Sequence, residues 1–252
     1  MHVVVTGASS GIGEAIAREW AAAGANLTLV ARRRELLDKL AGSLSVKCNV
    51  VELDLSDPSK ATSFLAGAEQ ALGPVDVLVN NAGVQIIAPT AETDLERAEA
   101  SLRLNLLTPL RLTRAVLPGM LARKNGCIVD VASMAGLAPT PGMTWYNAGK
   151  GGLGAASEAL RGELRGSGVH VVTVYPGPVK SALADAGIVA YGGGLAAQIP
   201  IGKPEILARK IRLATERKRS RIIYPGFYVI TRWFPLITRW FLDTFTPKPK
   251  AN

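Results

Sequence analysis

The sequence has little cysteine and histidine and no long apolar run. Of its 252 residues, two are cysteine (Cys48 and Cys127) and two are histidine (His2 and His170). Two cysteines cannot form a disulfide framework, so the sequence gives no sign of an oxidising compartment. These residues lie far apart in the chain, and no metal site is predicted. No window of about 18 residues is apolar and free of charge, so no transmembrane helix is expected.

The start of the chain also leaves little room for a targeting segment. Only Met1 and His2 precede the first apolar run. We therefore expect no secretory signal and a cytoplasmic location. At 48% apolar and 19% charged residues the composition is globular, and the length suits one large domain that needs no stabilising cross-link.

Acidic residues are scarce at the C-terminal end. Residues 203–252 contain 12 basic and 3 acidic side chains, which accounts for the whole net charge of +9, and residues 227–245 contain 7 of the 14 aromatic residues. Such asymmetry predicts an anionic partner, either a membrane surface or nucleic acid. Nucleic acid is disfavoured because the aromatic residues alternate with Ile and Leu instead of following a polar groove.

Short apolar runs alternate with Ala- and Leu-rich helical stretches. We expect strands at 2–6, 27–31, 46–53, 75–80, 127–132, 169–175 and 221–224, and helices near 12–23, 34–43, 58–72, 92–122, 144–166 and 203–218. Strands that are apolar on both faces are typical of a covered parallel sheet. The predicted fold is therefore α/β: a single-domain, Rossmann-type, doubly wound parallel sheet of about seven strands over residues 1–226, with helices on both faces. An amphipathic aromatic tail follows at 227–252.

A glycine-rich turn follows the first strand. It reads Thr6-Gly7-Ala8-Ser9-Ser10-Gly11-Ile12-Gly13 and leads into a helix. Glycine allows the backbone to approach a pyrophosphate closely, and the helix N-terminus offers free N–H groups. The turn predicts nucleotide binding, with close packing of strand and helix as the alternative explanation.

The second strand ends without a carboxylate. A dinucleotide fold that binds NAD normally has an acidic residue there for the ribose 2′-hydroxyl, but this strand ends Ala31-Arg32-Arg33-Arg34. Guanidinium groups bind a phosphate in a forked geometry, whereas a carboxylate would repel it. Arg32 and Arg33 therefore predict a 2′-phosphate clamp and NADP(H) as the cofactor; a solvated helix start is the alternative.

Tyr146 and Lys150 are four residues apart and share one face of a predicted helix. A nearby ammonium stabilises a phenolate and lowers the pKa of tyrosine, which is otherwise about 10. Tyr146 would then be the general acid in carbonyl reduction, or the base in alcohol oxidation; an ordinary surface pair on a helix is the alternative. Ser133, at the carboxyl end of the fifth strand, would hydrogen-bond the substrate oxygen.

Taken in order, these motifs resemble the classical short-chain dehydrogenase/reductase family. The turn Thr6–Gly13, Asn80-Asn81-Ala82-Gly83, Asn105, Ser133, Tyr146 with Lys150, and Pro176-Gly177 all match, and the resemblance covers about residues 2–224. It implies that Lys150 also holds the nicotinamide ribose, that Asn105 fixes a water in a proton relay to Lys150, and that Asp54 and Leu55 contact the adenine. Thr6 and part of the role of Asn81 are expected to be structural.

The resemblance also implies the remaining nucleotide contacts and the assembly. Ser181 stands where the family often has a threonine that contacts the carboxamide. A homodimer through the helices at 92–122 and 144–166 is the expected assembly, with a tetramer as the alternative. The residues expected to bind the cofactor, besides the arginines and the adenine pair, are Gly7, Ser9, Ser10, Gly11, Ile12, Gly13, Asn81, Ala82, Gly83, Tyr146, Lys150, Pro176, Gly177, Val179 and Ser181.

The substrate side of the sequence is apolar. Residues 181–203 should form a lid in which Gly192–Gly194 allows hinge motion, and Asp185 is the only charge between 181 and 200. Val84, Met134, Leu137, Met143 and Trp145 flank the catalytic positions, although core packing alone would explain Leu137 and Met143 equally well. We expect a lipophilic ketone, aldehyde or alcohol as substrate, with reduction favoured. A 3-oxoacyl reductase is the alternative enzyme, and a non-catalytic nicotinamide sensor is a weaker alternative.

The tail contains a repeat. Ile-Thr-Arg-Trp-Phe occurs at 230–234 and again at 237–241, which places Arg232 and Arg239 on one helical stripe beside a wide apolar and aromatic surface. Pro235 would kink the helix or begin a second one. A basic face beside Trp and Phe is typical of a helix lying in a membrane interface, which predicts peripheral contact with the cytoplasmic membrane face. The alternative is a tail that packs on its own domain or a partner subunit and walls the substrate pocket.

Overall fold

The computed structural model describes residues 1–190 and 200–246. Seven parallel strands form one sheet in the order β3-β2-β1-β4-β5-β6-β7. The predicted doubly wound α/β fold is confirmed. The strands are β1 (His2–Thr6), β2 (Asn26–Ala31), β3 (Cys48–Glu52), β4 (Val77–Asn80), β5 (Gly126–Val131), β6 (Val169–Pro176) and β7 (Arg221–Tyr224).

Helices cover both faces of the sheet. On one face, Trp20 and Ile16 pack in a core with Leu207 and Ile211; on the other, Leu112 and Met120 pack with strand residues. The helices are α1 (Gly11–Ala22), α2 (Arg34–Gly42), α3 (Leu65–Leu72), α4 (Leu95–Leu102), α5 (Thr108–Arg123), α6 (Thr144–Glu163), α7 (Ala182–Ala190), α8 (Pro204–Glu216), α9 (Val229–Trp233) and α10 (Pro235–Phe245).

The long helix predicted over 92–122 is interrupted. A π-helical turn, Arg103–Leu107, separates α4 from α5, and the Thr108 N–H bonds to the Arg103 carbonyl. Pro109 lies four residues after Asn105 and has no N–H, so it cannot donate the α-helical hydrogen bond to the Asn105 carbonyl. The turn therefore widens at Asn105, as π-bulges at functional sites commonly do.

Two other boundaries differ from the sequence-based expectations. The helix expected near 58–72 begins at Leu65, because the Asp57 carboxylate accepts hydrogen bonds from the Ser59 N–H and hydroxyl and holds the chain in a turn. The lid expected over 181–203 begins with α7, while its proposed hinge, Gly192–Gly194, lies outside the described residues. Val179 pairs with Gly202, which closes the base of this excursion.

Candidate active site

The predicted site residues gather at the carboxyl edge of the sheet, where β1 and β4 lie side by side. Their connections leave this point in opposite directions, which opens a crevice for a ligand. The Thr6 hydroxyl donates to the Val79 carbonyl and accepts hydrogen bonds from the Asn81 and Ala82 N–H groups. The Asn81 side chain donates in turn to the Thr6 carbonyl at 2.9 Å. These bonds tie the two loops together.

The glycine-rich turn requires glycine at several positions. Gly7 and Gly11 have φ angles of +67° and +58°, which other residues adopt at a cost. A Cβ on Gly13 would overlap the Gly7 carbonyl. The chain thus turns tightly into α1, whose first N–H groups have no partner inside the helix and face an incoming anion. Ser10 is the N-cap residue, and Ile12 lies in the first turn.

Arg33 reaches back from the end of β2 to this turn. Its guanidinium donates to the Ser9 hydroxyl at 2.9 Å and to the Ser10 hydroxyl at 2.8 Å. Arg34 points elsewhere and pairs with Asp38 on α2. Arg32 makes no ion pair within the described part of the chain. The structure therefore brings together one guanidinium and two hydroxyls, all of them phosphate-binding groups.

The two residues expected at the adenine are placed differently from one another. The Asp54 carboxylate accepts the Ser56 N–H at 2.9 Å, so it stabilises the turn after β3. The Leu55 side chain is buried in the core, and its carbonyl accepts the Thr108 hydroxyl at 2.7 Å. Both residues lie close to the end of β3, but their visible contacts are structural.

Ser133 and Tyr146 meet at the end of β5. The Ser133 hydroxyl accepts the Ala135 N–H at 3.1 Å, which fixes it at the start of a short 3₁₀ turn. Tyr146 lies in the first turn of α6 and is buried. Burial raises the pKa of Tyr146, and a hydrogen bond with Ser133 acts in the opposite direction.

Lys150 is buried one turn further along α6. Its ammonium donates to the Val131 carbonyl at 2.7 Å. Burial lowers the pKa of Lys150 to about 8, while the charge of Asp130 acts to raise it. The lowering of the Tyr146 pKa that the sequence predicted from Lys150 does not appear, because the ammonium is bound to the strand carbonyl and desolvation dominates the pKa of the phenol.

Gly83, Asn105 and Lys150 converge. A Cβ on Gly83 would lie 2.6 Å from Asn105 Oδ1 and 3.2 Å from Lys150 Nζ. The Asn105 amide bonds both main-chain groups of Val84, donating to its carbonyl at 2.8 Å and accepting its N–H at 3.2 Å. The side chain therefore holds the loop through one donated and one accepted hydrogen bond. The main-chain carbonyl of Asn105, to which Pro109 cannot donate a hydrogen bond, is the acceptor that this residue offers to a relay water.

The loop after β6 forms the opposite wall. Pro176 ends β6, and the Gly177 N–H donates to the Tyr224 carbonyl at 2.7 Å. Val179 is buried, and the Ser181 hydroxyl donates to the Val179 carbonyl and accepts the Ala184 N–H at the start of α7. A Cβ on Gly11 would lie 3.3 Å from the Ser181 Cβ, so this loop reaches the glycine-rich turn.

Asp130 is a buried carboxyl group that the sequence reasoning missed. It lies in β5 and accepts a hydrogen bond from the Asn80 amide at 2.8 Å. Burial raises its pKa, although hydrogen bonds from Asn80 and Ser157 act in the opposite direction. Its charge acts on Lys150. The signal was present: Cys127-Ile-Val-Asp-Val131 has one acid within an otherwise apolar strand, where a charge needs a partner.

The tail borders the same edge of the sheet. A Cβ on Gly177 would lie 2.5 Å from the Tyr228 ring, and Tyr228 packs on the buried cluster of Met134, Ala132 and Tyr175. Further along, Arg239 donates to the Pro139 carbonyl at 3.0 Å. The beginning of the tail thus packs on the loop that follows Ser133.

Sequence comparison defines the family. Residues 1–187 match the family model described as short chain dehydrogenase. The chain belongs to the short-chain dehydrogenase/reductase family. It is 37% identical over 185 residues to a short-chain dehydrogenase of Pseudocercospora fijiensis, and 38% identical over 186 residues to a fatty acyl-CoA reductase of Mycobacterium tuberculosis. These matches cover 71% and 69% of this chain but only 60% and 61% of the two relatives.

Solved structures agree with the classical short-chain dehydrogenase/reductase assignment. A short-chain dehydrogenase from Streptomyces avermitilis is 32% identical and superposes with a TM-score of 0.82 over 96% of this chain and 94% of that one. A serine dehydrogenase in a closed form with NADP⁺ is 28% identical, with a TM-score of 0.79 over 88% and 94%. Members of the family are oxidoreductases that use a nicotinamide cofactor.

The residues present fit such a cofactor. There is no space for a side chain on Gly13 of α1, because its Cβ would overlap the Gly7 carbonyl. Arg33 and two serine hydroxyls form an anion-binding group. Gly83, which has no Cβ, borders Lys150. Over residues 1–190 and 200–246, no cluster of His, Cys, Asp and Glu could hold a metal ion. Within the same ranges no helix is both long and apolar enough to cross a membrane.

Proposed function

We propose that this short-chain dehydrogenase is an NADP(H)-dependent reductase of lipophilic carbonyl compounds. The observation that carries the cofactor preference is the bridge from Arg33 to the hydroxyls of Ser9 and Ser10. No carboxylate stands at the end of β2 to bind a 2′-hydroxyl or repel a 2′-phosphate. Arg32 is the second guanidinium of the proposed clamp.

The proposed chemistry follows from the buried side chains. A bound nicotinamide nucleotide supplies the hydride in reduction and accepts it in oxidation. Ser133 hydrogen-bonds the substrate oxygen, where negative charge develops, and Tyr146 donates its phenolic proton to that oxygen. Lys150 supplies positive charge beneath the site and, with the Asn105 carbonyl, a route by which the proton of Tyr146 is replaced. The same residues run the reaction in reverse when Tyr146 is a phenolate.

The cofactor proposal is tested by the ratio of kcat/KM for NADPH to that for NADH. Arg33→Ala should reduce this ratio at least about tenfold, because a charge-assisted phosphate contact contributes roughly 1.5–3 kcal/mol. Arg34→Ala is the matched control, since Arg34 pairs with Asp38 instead and should leave the ratio unchanged. Equal efficiency of the unaltered enzyme with both nucleotides would refute the clamp.

The substrate proposal comes from the apolar surroundings of the site. Asp185 is the only charged residue of α7, and a Cβ on its Gly187 would lie 3.6 Å from the Ile87 side chain, so the helix covers the segment that follows Gly83. The similarity to a fatty acyl-CoA reductase supports a long apolar substrate. Assaying steroid, retinoid, long-chain acyl and small aromatic carbonyls with NADPH would test this. A clear preference for 3-oxoacyl thioesters would select the alternative enzyme.

A sensor and an enzyme are distinguished at Tyr146. Tyr146→Phe removes the transferable proton while keeping the buried ring. We expect turnover to fall by at least about a hundredfold, in line with a general acid–base contribution, while NADPH binding measured by fluorescence remains. Unchanged turnover in this variant would exclude the assigned role of Tyr146.

A further inference from the structure

Three polar side chains of the two tail helices, α9 and α10, are turned towards the domain. Thr231, Arg232 and Thr238 are partly buried. Arg232 bonds Glu158 of α6 at 3.2 Å, and the Thr231 hydroxyl donates to the Tyr228 carbonyl at 2.7 Å. Arg239 bonds Asp243 and the Pro139 carbonyl. Both arginines of the predicted stripe are therefore paired within the protein, Arg232 partly buried and Arg239 at the surface.

The apolar side chains of both helices point outward as a result. Leu236 is 85% exposed, Trp233 74% and Trp240 63%. We call this surface the tail face; it consists of Ile230, Trp233, Leu236, Ile237, Trp240 and Phe241. Exposed single apolar residues are ordinary, but contiguous patches larger than a few hundred Å² mark interaction sites. Six large apolar side chains, each more than half exposed, lie within residues 230–241, so they are not scattered single residues.

The seven-residue repeat explains this arrangement. In both copies the threonine is partly buried, while Ile, Trp and Phe are exposed; the arginine is partly buried in the first copy and exposed in the second. Pro235 begins α10 at its first position, the second of the two outcomes predicted for it, and Phe234 with φ −126° and ψ 62° forms the break. The break separates the two copies, and the Ile and Trp side chains of both are exposed.

The basic cluster of the C-terminal region lies elsewhere. Arg217, Lys218 and Arg219 precede β7, at the amino edge of the sheet, whereas the tail leaves its carboxyl edge. The four residues of β7 separate the two by roughly 13 Å. The tail face therefore carries apolar and aromatic groups with little free positive charge of its own.

We infer that the tail face inserts into the surface of a lipid bilayer, chiefly by burial of apolar side chains. Tryptophan and phenylalanine on short helices suit the boundary between headgroups and acyl chains. The tail also borders the loop after Ser133 through Tyr228 and Arg239, so insertion brings the substrate entrance to the membrane. This deepens the proposed function, on which it rests for the nature of the substrate: a lipophilic carbonyl would enter from the bilayer.

The test uses the full-length protein and vesicles of phosphatidylcholine, which are electrically neutral. We expect the protein to float with these vesicles even in about 0.5 M NaCl, where the Debye length is only about 4 Å. Leu236→Asp should weaken partitioning at least about tenfold, because it replaces an exposed leucine that would enter the bilayer with a carboxylate. Aspartate suits the first turn of a helix, so the fold is preserved. Leu95→Asp, at an exposed leucine in the first turn of α4, is the matched control and should leave flotation with the vesicles unchanged.

A second measurement locates the contact. Brominated lipid should quench the fluorescence of Trp233 and Trp240, which are exposed, and not that of Trp20, which is buried. Single Trp→Phe variants at the first two positions should each remove part of the quenching. Quenching that is unchanged in both variants would overturn the assigned orientation.

Two outcomes would overturn the inference as a whole. Binding that requires anionic lipid and disappears in salt would assign membrane contact to the basic cluster. A salt-resistant dimer that ignores vesicles and dissociates in Leu236→Asp would show that a second copy of this chain covers the tail face. If flotation succeeds but no carbonyl is reduced by any member of the panel, the proposed function fails while the membrane contact stands.

Discussion

Replacing Asp130 with asparagine should shift the pH dependence of the enzyme. Asp130 lies in β5, and its charge acts to raise the pKa of Lys150, which burial lowers to about 8. Asparagine has nearly the same shape and still offers an oxygen to the Asn80 amide, which Asp130 accepts at 2.8 Å. The variant therefore removes the charge with little change in packing, and the pKa of Lys150 should fall.

The size of the effect follows from the titration of Lys150. With a pKa of about 8, roughly nine-tenths of Lys150 is protonated at pH 7; a fall of one unit, or about 1.4 kcal/mol, would leave about one half. If the reduction requires the ammonium, kcat/KM in Asp130→Asn falls about twofold at pH 7. The loss approaches about tenfold at pH 9.

The assay is the pH profile of kcat/KM for NADPH-dependent reduction, which reports ionisations of the free enzyme. The alkaline limb should lie near pH 8 in the unaltered enzyme and at lower pH in Asp130→Asn. Thr113→Val is the control, because it removes another hydrogen bond from the Asn80 amide, at 3.2 Å, without changing any charge. If kcat/KM falls at the same alkaline pH in Asp130→Asn as in the unaltered enzyme, the charge of Asp130 does not act on Lys150. That result would show that burial keeps Asp130 protonated.

Two further predictions concern Gly83 and Glu158. Gly83→Ala should abolish most activity, because the new Cβ would displace Asn105 and Lys150. Gly67→Ala is the control and should keep its activity, because no atom lies within 4 Å of the new Cβ. Both variants are compared by kcat and by thermal denaturation, and equal kcat values would refute the role of Gly83. Glu158 has a pKa lowered to about 2, first by its hydrogen bond with Arg221, so its stabilising contribution is complete above about pH 4.5 and is lost as the pH falls towards 2. Glu158→Gln should therefore lower the Tm at pH 7, and the Tm difference from the unaltered protein should shrink on acidification. Glu163→Gln, at an exposed position of the same helix, serves as the control. A Tm difference that does not depend on pH would count against the ion pair.

Most of the fold could be predicted because strand and helix patterns differ in period. The seven apolar runs give seven strands, and the regular βα alternation gives a parallel, doubly wound sheet. The break at Arg103–Leu107 was missed because the apolar pattern continues through it. Only the combination of Asn105 with Pro109 four residues later indicates that one carbonyl loses its donor.

The site was predicted in part. The positions near Gly83, Ser133 and Pro176 could be placed because strand ends of a parallel sheet share one edge. The partner of the Lys150 ammonium could not be predicted, since the main-chain carbonyl of Val131 leaves no mark in the sequence. In the tail, helical period showed that Thr-Arg and Trp-Phe lie on different faces. It could not show which of them turns towards the domain, because that depends on Glu158, 74 residues away from Arg232.

Glu158 links distant parts of the molecule on one carboxylate. It lies on α6, the helix that carries Tyr146 and Lys150, and it binds Arg221 of β7, Arg232 of α9 and the Tyr175 hydroxyl. Any partner that moves α9 changes the restraint on α6. By thermodynamic reciprocity, a ligand that changes the position of α6 alters the affinity of the tail for its partner by the same factor. A ligand bound near α6 would thus change the affinity of the tail for its partner through Glu158, without contact between the two ligands.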